Sequence, residues 1–164
     1  MQEQNEQKHN GQKKILIVED ERNIAQLLAY NMMQAGYDYD IASDGAEGLR
    51  RALTGEYDLI LLDLMLPKMD GFEVCRRARA KISTPIIIVT AREEEVEKVM
   101  GLEIGADDYV TKPFKLKELM ARIKANIRRA SSEVVREQAP EDNIIKLRGL
   151  VIDCNRYFVT NNGV

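Results

Sequence analysis

Side chains able to do chemistry stand at the ends of four apolar runs in this sequence. Glu19 and Asp20 close KILIVED (14–20), Asp63 closes YDLILLD (57–63), Thr90 lies near the end of TPIIIVTA (84–91), and Lys112, followed by Pro113, closes DDYVTK (107–112). A carboxylate buried alone costs several kcal/mol unless it is paired or changes its protonation. Asp63 therefore belongs at the mouth of the fold or beside strong partners. If the four ends converge, three carboxylates meet one hydroxyl and one ammonium. Clustered carboxylates repel one another and hold a hard divalent cation such as Mg2+ well. With that charge partly neutralised a phosphoryl group can approach, and an aspartate can attack it to form an aspartyl phosphate. Lys112 would offset negative charge on the transferring group, and Thr90 would donate a hydrogen bond to it. The sequence has no Walker-type glycine loop and no GxGxxG, so nothing in it supplies a nucleotide site.

Each of these residues alone has a plainer explanation. An Asp after a strand is often a cap, acids such as Glu19, Asp20 and Glu21 favour a helix start, and Lys112 suits a surface. The coincidence at four strand ends carries the reading.

The elements that must position these groups alternate along the chain. KILIVED, YDLILLD and TPIIIVTA read as continuous apolar strands, YDYDIAS (37–43) alternates, and DDYVTK is a short last strand. NIAQLLAYNMMQAG (23–36) places Ile24, Leu27, Leu28, Met32 and Ala35 on one helical stripe and stops at Gly36. DGAEGLRRAL (44–53) is a short helix capped by Asp44, and DGFEVCRRARAK (70–81) opens with Asp70 and carries Glu73 at capping-box spacing. EEEVEKVMGLEIG (93–105) is helical with an acidic start. KLKELMARIKANIRRA (115–130) puts Leu116, Leu119, Met120, Ile123 and Ile127 on one face. Five alternations of strand and helix predict an α/β fold. Strands apolar throughout predict a parallel sheet covered on both faces, and right-handed crossovers make it doubly wound. The ligand site of such a sheet lies outside the carboxyl ends of its strands.

The 164 residues suffice for one full domain and the start of another, and 45% hydrophobic with 31% charged residues fits a soluble globular chain. The net charge of -3 gives no global basic signal for nucleic acid. Cys75 and Cys154 fit no metal-ligand spacing and read as reduced intracellular thiols. His9 falls in a polar tail. No apolar run approaches the ~20 residues of a membrane span, and the polar N-terminus lacks the apolar core of a secretory signal. A cytoplasmic chain with no membrane partner is expected. Residues 1–12 read as a disordered extension, and SSEVVREQAPED (131–142), which carries Pro140, as a linker. NIIKLRGLVIDCNRYFVTNNGV (143–164) reads as two or three short strands with NNG as a turn signal.

ILIVEDE, LILLDLMLPKMDGFEVC, PIIIVTAR and GADDYVTKPF, in that order, resemble the receiver domain of two-component response regulators. GLEIGADDYVTKPFKLKELMARIKANIRR resembles the OmpR/PhoB type. The resemblance spans residues 13–130. It implies a flavodoxin-like (βα)5 sheet of strand order 2-1-3-4-5 and a phosphorylation-dependent switch served by a sensor histidine kinase. Asp63 would be the phosphoacceptor. Asp20 would bind Mg2+ directly and Glu19 through water, with Asp63 and the backbone carbonyl of Met65 as further ligands. Thr90 and Lys112 would contact the phosphoryl group, and Tyr109 would be the aromatic switch that turns inward when Thr90 moves. A cis peptide before Pro113 is implied too. Such a chain is no enzyme, although it assists its own phosphoryl transfer and dephosphorylation. Residues 143–164 resemble the first strands of a winged-helix effector domain. The chain stops before a recognition helix, so DNA binding and transcription regulation are expected only of a longer parent.

Lys98, Glu103, Asp107, Asp108, Glu118, Arg122, Lys124 and Arg129 mix signs around the fourth helix, fifth strand and fifth helix. The resemblance implies a homodimer through this face on phosphorylation, with reciprocal pairs such as Lys98 with Glu118 and Asp108 with Arg122. As a merely solvated face the same charges would be worth little. The alternative from another class is an aspartate-nucleophile phosphohydrolase of the haloacid dehalogenase type. That class wants a second acid two residues beyond its nucleophile, and here the position is Met65, which moves no proton.

Overall fold

Ile15 and Ile17 pack on one side of their strand and Leu16 and Val18 on the other, and all four are buried. Successive side chains of a strand face opposite ways, so strands of this kind need a cover on each face. The computed structural model describes residues 11–138, 144–147, 150–153 and 158–161. Its elements run β1 (Lys14–Val18), α1 (Arg22–Gln34), β2 (Asp38–Ala42), α2 (Gly45–Ala52), β3 (Leu59–Leu62), α3 (Gly71–Arg79), β4 (Ile86–Thr90), α4 (Glu95–Glu103), β5 (Asp108–Thr111) and α5 (Leu116–Gln138). Then follow β6 (Ile144–Leu147), β7 (Leu150–Asp153) and β8 (Phe158–Asn161). β1 to β5 form one parallel sheet in the order β2-β1-β3-β4-β5, the flavodoxin-like arrangement expected. α1 and α5 cover one face, with Leu28, Met32, Leu119 and Ile123 over Ile15, Ile17, Leu61 and Ile87. α2 and α3 cover the other, with Ala52, Val74, Cys75 and Ala78 over Leu16, Val18, Ile60 and Ile88.

The caps follow the sequence in part. Asp44 accepts the Glu47 amide at 2.8 Å and starts α2. Asp70 starts α3, accepting from the Phe72 and Glu73 amides at 2.8 and 3.2 Å. The reciprocal half of that capping box is not formed. Glu73 turns to Arg76 and Arg77, which hold its carboxyl down at about 2, since charged donors bind a carboxylate more strongly than a neutral amide does.

Two further expectations are corrected. α1 buries Ala25, Leu28, Ala29 and Met32, while Leu27 is 45% exposed and Ala35 is exposed. Two alanines on the inner face let the helix lie close to the sheet and leave Leu27 outside. α5, expected over 115–130, continues to Gln138. No Gly or Pro occurs within it to weaken or break it.

Register sets the level of the strand ends. Val18 lies opposite Leu62, and Leu62 opposite Ile88. The Asp63 amide continues the ladder to the Val18 carbonyl at 3.0 Å, and the Lys112 amide donates to the Thr90 carbonyl at 2.8 Å. Glu19, Asp63, Thr90 and Lys112 thus leave the same edge of the sheet.

The chain divides at Arg128 into two compact units. In the second, β6, β7 and β8 form a three-stranded antiparallel sheet. The bulk of the expected N-terminal extension, with His9, lies outside the described residues, as do Pro140, Cys154 and most of the NNG turn. Among the described residues no helix is long and apolar enough to cross a membrane.

Candidate functional site

Glu19, Asp20 and Asp63 each offer a carboxylate oxygen, and these oxygens lie within 4.8 Å of one another. Glu19 and Asp63 are buried, and Asp20 is exposed. The Lys112 ammonium donates to Glu19 Oε2 at 2.8 Å and to Asp63 Oδ2 at 3.0 Å. The other oxygens of the two buried acids are held by backbone. The Glu21 amide donates to Glu19 Oε1 at 3.1 Å and the Met65 amide to Asp63 Oδ1 at 3.2 Å. Asp63 is therefore tolerated at the end of its apolar run because it sits at the strand mouth with an ammonium and an amide.

Burial raises Glu19 to about 7, eased by the Lys112 hydrogen bond and reinforced by the charge of Asp63. Burial alone would lower the Lys112 ammonium, but its hydrogen bonds to Glu19 and Asp63 raise it instead. One ammonium faces three carboxylates, so negative charge is left in excess. An all-oxygen donor set with that excess fits a hard cation of the Mg2+ kind.

Thr90 is fully buried, and its hydroxyl accepts the Arg92 amide at 3.5 Å. The Tyr109 hydroxyl donates to the Arg92 carbonyl at 2.8 Å. Burial, then the charge of Glu97, raises the Tyr109 phenol. Its ring packs beneath α4 at Gly101, where a Cβ would lie 3.2 Å from Tyr109 Cδ2. Arg92 joins the two expected switch residues, and its guanidinium reaches Glu97 of α4 at 3.3 Å. Sequence reasoning passed over Arg92, since its contribution is mainly backbone. The Lys112–Pro113 peptide is cis, as the resemblance implied.

Within one chain the charged face carries ion pairs of its own. Arg122 binds Asp108 of its own chain at 2.9 and 3.0 Å and Glu118 at 3.1 Å. Asp107 turns away to Arg79 at 2.8 Å and to the Ile86 amide. Lys98 and Glu118 line one cleft with Tyr109 and Arg122, Glu103 and Lys124 are exposed, and Arg129 falls in the second unit. α4 adds what the sequence reading missed: Val96, Val99, Met100 and Leu102 are all exposed. An apolar cleft of about 440 Å³ also opens beside Lys112, between Ile24 and Leu27 of α1 and Pro113, Phe114 and Leu116.

The family model of the response regulator receiver domain matches residues 15–124. The response regulator ArlR of Staphylococcus saprophyticus is 48% identical over 150 residues, covering 92% of this chain and 64% of the relative. ArlR of Staphylococcus aureus Mu50 is 48% identical over 149 residues. The chain thus spans about 64% of the length of these relatives. Among solved structures, the receiver domain of the Francisella response regulator 1452 is 37% identical with a TM-score of 0.69, covering 72% of this chain and 98% of that one. The BeF3-activated N-terminal receiver domain of Klebsiella pneumoniae RstA is 31% identical with a TM-score of 0.68, covering 71% and 99%.

Proposed function

The chain belongs to the response regulator receiver domain family, and on that premise we propose that Asp63 accepts a phosphoryl group from a sensor histidine kinase and thereby switches the chain's associations. The observation that carries this reading is one ammonium, Lys112, shared by Glu19 and Asp63 at the edge of a three-carboxylate cluster. An oxygen of Asp63 attacks phosphorus and forms the acyl phosphate. The bond from phosphorus to the donor's imidazole nitrogen breaks, and the imidazole leaves. Glu19, Asp20 and Asp63, with the Met65 carbonyl, would hold Mg2+, which supplies charge neutralisation for the incoming oxygens. Lys112 exchanges a carboxylate partner for a phosphoryl oxygen, and Thr90 turns its hydroxyl proton to another. Moving Thr90 shifts Arg92, and with it the carbonyl that anchors Tyr109. The same residues assist attack by water on the acyl phosphate, which resets the switch.

The apolar cleft beside Lys112 offers the donor kinase a docking surface within reach of Asp63. The exposed apolar side chains of α4, which also carries Lys98, suit a phosphorylation-dependent homodimer. In a longer parent, residues 143–164 would begin a winged-helix domain that carries DNA binding and transcription control. The haloacid dehalogenase alternative is not favoured: Met65 stands where that class needs a general acid, and the family match lies with receivers. Intact mass after incubation with acetyl phosphate tests the proposal. One phosphoryl group should be added with Mg2+, none with chelator, and none to Asp63→Asn.

A further inference from the structure

The loop between β3 and α3 carries Met65, whose amide reaches Asp63, and the start of α2 grips this loop from outside. The Gly45 amide donates to the Pro67 carbonyl at 3.1 Å. Lys68, the one described non-glycine residue with a left-handed backbone (φ 68°), brings its ammonium 3.3 Å from Asp44 Oδ2. Asp44 uses its other oxygen to cap α2. The approach leaves no room for a side chain, since a Cβ on Gly45 would fall 1.8 Å from the Met69 carbonyl oxygen. On the other side the Gly71 amide donates to the Leu64 carbonyl at 2.9 Å, and a Cβ there would fall 2.1 Å from the Asp63 carbonyl oxygen. The loop is held between two helix starts, each an Asp-Gly pair.

We propose that Asp44, Gly45 and Lys68 are positioning residues for the Asp63 site, acting through the loop on cation binding and phosphoryl transfer. The inference rests on the phosphoacceptor reading above. None of the three is in the carboxylate cluster. Their effect passes along the loop, where Leu66 N–H to Leu64 O at 3.1 Å and Met69 N–H to Pro67 O at 2.8 Å leave little slack. A shift at Pro67 is therefore handed on to Met65, and the Met65 amide orients the Asp63 carboxylate. Groups that orient the ligands of a metal typically change its affinity by about 10- to 100-fold when removed.

Mn2+ titration of the full chain by calorimetry, paired with the rate of acyl phosphate formation from acetyl phosphate, tests the grip. Gly45→Ala should bind Mn2+ about ten-fold more weakly and react more slowly while its circular dichroism stays that of the wild type. Alanine is intrinsically the better helix former, so a role confined to α2 predicts no loss at the cation site. Lys68→Ala should weaken Mn2+ several-fold, and Lys68→Arg should restore it. Wild-type Mn2+ affinity in a folded Gly45→Ala overturns the inference. If that variant does not fold, wild-type affinity in Lys68→Ala overturns it instead. A wild-type chain that neither binds Mn2+ saturably nor forms an acyl phosphate overturns the underlying reading, a failure recognisable without any variant.

Discussion

Lys112 Nζ lies 3.0 Å from Asp63 Oδ2 although β4 separates their strands. The same nitrogen reaches Glu19, so one side chain is counterion to two buried acids. Lys112→Ala leaves both facing each other unpaired. It should cost about 3 kcal/mol of metal-free stability at neutral pH and above, measured by urea denaturation, and Mg2+ should recover part of it. Stability unchanged from wild type would mean that the ammonium does not pair with these acids in solution.

Thr90→Ala should fold and accept the phosphoryl group, because Asp63, Lys112 and the other acids are untouched. It should switch poorly, because the hydroxyl that pulls Arg92 is gone. Amide exchange in α4 with and without beryllofluoride reads the switch. A full response from Thr90→Ala would remove Thr90 from the relay.

The acidity of Glu19 sets a pH dependence. Its carboxyl moves from an ordinary 4.5 to about 7 in the metal-free fold, chiefly through burial. Between those values the folded chain holds a proton that the unfolded chain has lost. The stabilisation from this group is complete below the lower value and is lost as pH rises through the upper one. A cation must displace the same proton. Mn2+ affinity should therefore rise about tenfold per unit as pH climbs towards 7, then level off. Equal affinity at pH values well below and well above 7 would contradict it.

Tyr109→Phe removes only the hydroxyl given to the Arg92 carbonyl. It should lower stability by about 1 kcal/mol, leave phosphorylation of Asp63 intact, and weaken the link from Arg92 to β5. Thermal melts and intact mass separate the two effects. Loss of phosphorylation in this variant would place the phenol in the chemistry itself.

Dimerisation should follow beryllofluoride addition and be blocked by Val99→Asp, with Asp63 still phosphorylated. Sedimentation reads the outcome, and a dimer indifferent to Val99→Asp lies on another face. Arg122→Glu is the poorer probe, because Arg122 already serves Asp108 and Glu118 within its own chain. Its loss would disturb the monomer first.

Much of the site was legible because strand ends are legible. A continuous apolar run marks a strand of a parallel sheet, and the topology brings the residues that follow such runs to one edge. That logic brings Glu19, Asp20, Asp63 and Lys112 together, as the structure does, and sends Thr90 to the same edge of the sheet. It missed what only the folded neighbourhood decides: the turn of Glu73 to Arg76 and Arg77, the inner alanines of α1, and the closure of Asp108 with Arg122 within one chain. In sequence the two Asp-Gly pairs at 44–45 and 70–71 look like plain helix caps. Their glycines matter through close backbone approaches that only folded geometry defines.

The acids that would take the cation leave β1 and β3, which are neighbours, whereas their ammonium follows β5 and stands 93 residues along the chain from Glu19. A chain still being made therefore carries Asp63 long before it carries Lys112. Until β5 has closed onto β4, Asp63 lacks the Lys112 ammonium. On the phosphoacceptor reading, a phosphoryl group on Asp63 would then mark copies in which the sheet is complete.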